Sequence, residues 1–165
     1  MPEDETPETP TLYDQLFEAA PYYAHRHVVS DPRSAQFERL TEALDVALPG
    51  KEVKYATHSF PDAGEPLPDL SGTAFVVTET VIASIEAGQH LEVHVAPLSA
   101  IRTITLSSAP GSSFTTNDEW NGRSVTIAVD GMPHPIRFPA GPTSADNAAR
   151  FAKLYPVLIT ALGAA

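Results

Sequence analysis

The chain has 165 residues, 42% of them hydrophobic, enough for one domain with a substantial core. A net charge of −11 excludes the basic face that nucleic acid or an anionic lipid surface requires. The absence of cysteine removes disulfides, thiol nucleophiles and thiolate metal ligands from consideration.

Residues 1–10 (MPEDETPETP) are acidic, proline-rich and almost free of apolar side chains. Such a segment cannot offset its ordering entropy and is expected to be a disordered tail. This start also lacks the basic and apolar regions of a signal peptide, and no stretch approaches the ~18 apolar residues of a membrane span. The expectation is a cytoplasmic, soluble protein.

From Thr11 onward, Tyr13, Leu16, Phe17 and Ala20 recur at helical spacing until Pro21 stops the pattern. The connector Tyr22-Tyr-Ala-His-Arg-His-Val-Val29 is rich in aromatic and basic residues. Asp31 and Pro32 suit the N-cap and first position of a second helix, with Phe37, Leu40, Leu44 and Leu48 as its stripe. Leu48-Pro49-Gly50 ends it. Residues 11–47 thus form an N-terminal helical pair.

Glu52–Phe60 reads as a first strand with Val53, Tyr55 and Thr57 on one face, followed by the loop Pro61–Pro68. Strands are expected at 72–78, 81–86, 91–97, 101–108, 124–129 and 132–138, while 112–120 fits strand or loop equally. Asp130-Gly131 carries the hairpin signature. Pro133 and Pro135 confine the strand that holds them to an edge, or to positions turned away from a partner. Thr143 or Ser144 caps a last helix. Its apolar residues Ala148, Phe151, Ala152, Tyr155, Leu158, Ile159 and Leu162 keep phase across Pro156, which predicts a kinked helix rather than a break.

Several of these stretches resemble bacterial pleckstrin-homology-like (PH-like, GRAM-like) domains. Leu48-Pro-Gly-Lys-Glu-Val53 resembles the entry to their first strand, with Lys51 inserted. Gly72-Thr-Ala-Phe-Val-Val-Thr78 with Val81-Ile-Ala-Ser-Ile85 resembles their next hairpin, Thr80 or Val81 standing where a basic residue is usual. Val95-Ala-Pro-Leu-Ser-Ala-Ile101 and Ile136-Arg-Phe138 resemble the later strand approaches. The resemblance covers residues 48–162 and implies a bent, seven-stranded antiparallel β barrel with a C-terminal capping helix, over residues 48–165. Together with the helical pair the fold class is α+β. The alternative is a helix-grip fold, in which a curved sheet wraps one long helix. Members of the family are mostly binding and assembly modules.

The chemistry-bearing residues are sparse. His25 and His27 could open a zinc site, but no sequence feature nominates further ligands. His90 and His94 share a parity opposite Leu91, Val93 and Val95, which turns them to solvent or a neighbouring strand. No serine sits in a nucleophile elbow. Asp118 and Glu119 would diverge on a strand, and no phosphate-cradling loop is present. No catalytic residue, cofactor or metal is expected. The loop after the first strand carries Asp62, Glu65 and Asp69 and no base, so phosphoinositide binding is not expected.

The sequence therefore points to a non-enzymatic protein-binding or assembly module, with a carrier of small apolar ligands as the alternative. Candidate partner-binding residues are Tyr22, Tyr23 and Arg26 in the connector, Trp120, and Leu16 and Leu40 on the helical stripes. Those stripes must bury either on the barrel or across a symmetric dimer interface.

Overall fold

A computed structural model describes residues 10–19, 33–61, 69–108 and 122–164. Among them the chain order is α1 (Leu12–Glu18), α2 (Arg33–Ala47), β1 (Val53–His58), β2 (Thr73–Thr78), β3 (Val81–Glu86), β4 (Val93–Pro97), β5 (Ile101–Ser108), β6 (Arg123–Val129), β7 (Ile136–Phe138) and α3 (Ala145–Gly163), with a 3-10 turn at Leu98–Ala100 joining β4 to β5. The fold is α+β, with two antiparallel sheets ordered β1-β2-β3-β4 and β5-β6-β7. The tail, the 22–29 connector, Asp31, Pro32, the loop 62–68 and the 112–120 segment lie outside the described residues. Among the described residues no helix is long and apolar enough to cross a membrane.

Two cores share the first sheet. Tyr55, Val77, Ile82 and Ala96 face Ile101, Val125, Ile127, Ile136 and Phe138 of the second sheet, and α3 adds Phe151, Leu154 and Leu158 to the same cluster. On the other face of the first sheet, Ala56, Ala74, Val76, Ala83 and Ile85 pack under Leu12 and Leu16 of α1 and Phe37, Leu40 and Leu44 of α2. Covering both faces explains why β2 and β3 read as nearly continuous apolar runs, whereas β6, with one face open, alternates.

The helical pair is held by specific caps as well as by burial. Thr11 and Asp14 form a reciprocal capping box at the start of α1. At its other end, Ser144 donates its hydroxyl to the Glu18 carbonyl (2.9 Å) and its amide to that of Ala19 (2.9 Å). The same hydroxyl accepts from the Asn147 amide at 3.2 Å, so the N-cap of α3 also satisfies the last carbonyls of α1. Phe37 of α2 collects Tyr13 (4.9 Å) and Phe60 (6.0 Å) edge-on.

Four expectations are corrected. A bulge between Val53 and Tyr55 reverses the phase of β1, so Val53 packs towards the helices and Tyr55 towards the shared core. Asp130-Gly131 does not close a two-residue hairpin: β7 begins only at Ile136, and Gly131 adopts φ 90° inside a longer connection. Pro133 and Pro135 lack the donors a ladder needs, which keeps this stretch out of the edge strand β7. β4 begins at Val93 rather than Leu91. In α3, which runs unbroken through Pro156, Leu154 is buried while Ile159 is 43% exposed. Only the side facing the sheets is covered, and that stripe is narrower than the full set of apolar positions.

Candidate functional site

The inner face of the first sheet changes character along its length. The row Val77–Ile82–Ala96 lies in the shared core. Two residues further along each strand, the row Phe75–Ser84–His94 has the same parity, and beyond it Thr73 pairs with Glu86. Between these positions and the Pro133–Ile136 stretch ahead of β7 lies a concave mouth of about 470 Å³. Its titratable lining is Glu86, His90, Glu92, His94 and His134, with no lysine or arginine. His94 Nε2 stands 3.6 Å from Glu92 Oε1.

The floor of the mouth is polar at one point. Ser84 is only 6% exposed, and its hydroxyl meets the Met132 sulfur at 3.6 Å. A thioether is a weak acceptor and donates nothing, so the two lone pairs of this buried oxygen remain open to a donor. Phe75, half-buried beside it, supplies an aromatic wall. Among the described residues no group of three histidine, aspartate or glutamate side chains is arranged to hold a metal ion. The mouth therefore combines acceptors and an aromatic surface without a preformed metal cage.

His90 is exposed in the turn before β4, and His94, half-buried, stands beside Ser84 of the neighbouring strand and lines the mouth. Leu91 and Val93, on the opposite parity, pack towards the core beneath the helices, which turns His94 inward to the space between the sheets. The sequence showed the parity of His94. It did not show that helices cover the other side, nor that His134 joins it from a distant loop.

A second polar group of note is His58, buried to 2% exposure where β1 meets α1. Its ring stacks on Phe60 at 4.7 Å, and its Nδ1 accepts the Phe60 amide hydrogen at 3.2 Å. Burial lowers its pKa from 6.5 to about 4, partly offset by a hydrogen bond with the Leu16 backbone. Tyr55, in the shared core, has its pKa raised by burial, with a hydrogen bond from Thr57 acting against the shift. Both groups sit in closed packing, so their perturbation reflects structure rather than access to a ligand.

The remaining candidates divide cleanly. Tyr22, Tyr23, Arg26 and Trp120 lie outside the described residues, as do His25, His27, Asp118 and Glu119. Leu16 and Leu40 are corrected as partner-binding residues: each is 0% exposed, enclosed by the first sheet and the neighbouring helix of its own chain. No family model, curated protein or solved structure matches this chain.

Proposed function

We propose that this protein is a non-enzymatic binding or assembly module built on a PH-like bent barrel, with the mouth between its sheets as the contact site for a protein partner. The 4 + 3 order of seven antiparallel strands followed by a terminal helix supports the barrel reading. The observation that carries the binding reading is the mouth itself. It is a concave site of about 470 Å³, lined by Glu86, Glu92 and Phe75 and by the buried Ser84, whose hydroxyl has spare acceptor capacity.

The acidic lining, in a chain of net charge −11, makes a phosphoinositide or nucleic acid an unsuitable occupant. A carrier of apolar ligands would need open space between α3 and the sheets. That space is occupied by Tyr55, Phe138 and Phe151, whose rings lie 5.0–5.7 Å apart. Native mass spectrometry of freshly purified full-length protein tests the reading. A stoichiometric protein complex, with a second copy or another chain, is expected; a retained apolar small molecule would overturn it in favour of the carrier.

A further inference from the structure

We propose that the mouth takes an arginine side chain presented by the protein partner. This rests on the binding-module reading and specifies the chemistry of its contact. Every polar side chain in the lining accepts hydrogen bonds: the carboxylates of Glu86 and Glu92, the hydroxyls of Thr73 and Ser84, and, when neutral, one ring nitrogen of each histidine. No lysine or arginine lines the mouth, so no permanently charged cation already occupies its carboxylates.

The acceptors are also distributed rather than clustered. Ser84 and Glu86 come from β3, Thr73 from β2, His94 from β4, Glu92 from the residue just before it, and His134 from the opposite wall. A guanidinium offers five donors in a planar fork, which suits acceptors set around a cleft, and its flat face stacks on an aromatic ring such as Phe75. A spherical ammonium would use fewer of them. The volume of about 470 Å³ far exceeds the ~30 Å³ share of one water molecule, so a bare ion would leave the cleft largely empty.

Ser84 provides a separate indication. The residue is only 6% exposed and lines the cleft, and its hydroxyl donates to the Met132 sulfur, which leaves its lone pairs for an incoming donor. A guanidinium N–H entering along Phe75 would supply the donor that the Met132 thioether cannot. Pro133 and Pro135 on either side of His134 stiffen the facing wall, which limits the entropy lost on closing around a side chain.

The test is a titration of the full-length ¹⁵N-labelled chain with N-acetylarginine amide, followed by amide chemical shifts. N-acetylcitrulline amide, the neutral isostere, is run in parallel. Saturable shifts confined to residues 73–75, 84–94 and 132–136 are expected, with a dissociation constant on the order of 1–10 mM for so small a probe. Citrulline should bind at least ~10-fold more weakly, and the Glu86→Gln/Glu92→Gln variant should lose the difference between the probes. Both glutamates are exposed, so the variant is expected to fold, which its own spectrum reports directly.

Equal binding of arginine and citrulline probes would overturn the charge-based assignment while leaving a functional cleft. Absence of shifts in the mouth would overturn the site altogether. Neither result decides whether the protein forms a complex through another surface, which the native mass measurement reads independently.

Discussion

At the scale of single residues, the most consequential group is a histidine that holds no charge. His58 is neutral at pH 7 because burial disfavours its protonated form, and its Nδ1 lone pair is committed to the Phe60 amide. Protonation removes that acceptor and places a cation between α1 and β1. The unfolded chain takes up the proton near pH 6.5, the folded chain only near 4. Stability from this group is therefore full above pH 6.5 and is lost as the pH falls towards 4. Between pH 7 and 4.5 the loss should be roughly 2–3 kcal/mol. Urea unfolding of the wild type and of His58→Asn at both pH values checks this. The wild type should lose that much more than the variant, whose amide oxygen can accept the Phe60 hydrogen without titrating.

At the scale of elements, the helical stripes show how a readable pattern still leaves its partner open. Phe37, Leu40 and Leu44 recur at helical spacing, and all are buried in α2 as that spacing requires. In α1 the buried set is Leu12, Gln15 and Leu16, because the helix lies on β1 and turns Tyr13 and Phe17 towards Phe37. The surface receiving both helices is the outer face of the first sheet. Leu16→Asp and Leu40→Asp should therefore unfold the protein, not release folded monomers from a dimer. The milder Leu40→Ala should cost about 2–5 kcal/mol through the cavity it leaves. Sedimentation together with circular dichroism separates the outcomes: a folded, soluble Leu40→Asp monomer would show that the stripe is dispensable to the chain's own core.

At the scale of the whole molecule, the first sheet is a shared wall. One face holds the core between the sheets and α3, the other holds the core under α1 and α2. The N-terminal helices are consequently part of the domain, not an accessory to a self-sufficient barrel. Removing residues 1–47 would uncover Ala56, Ala74, Val76, Ala83 and Ile85 together, a contiguous apolar sheet face of the kind monomeric proteins avoid exposing. The fragment 48–165 should aggregate or bind a hydrophobic dye where the full chain does neither. Size-exclusion chromatography with light scattering checks this, and a stable monomeric fragment would contradict it.

Much of the local structure was legible before any coordinates. The stripe of α2, a cap for α3 at Thr143 or Ser144 (Ser144 in the structure) and the approximate extents of β2, β3, β5 and β6 follow from periodicity and capping chemistry, which act over a few neighbouring residues. Tertiary packing decided the rest. The bulge in β1 is one unpaired position that reverses Val53 against Tyr55, and only pairing with β2 reveals it. The shortening of β7 follows from which positions a neighbouring strand can bond. The parity of His94 against Val93 and Val95 was written in the chain, but that His94 lines a cleft depended on helices some 50 residues away covering the other side of the sheet. The mouth joins β2, β3 and the start of β4 to His134 in the segment before β7. Such a site has no local signature, because its chemistry arises only when two sheets meet.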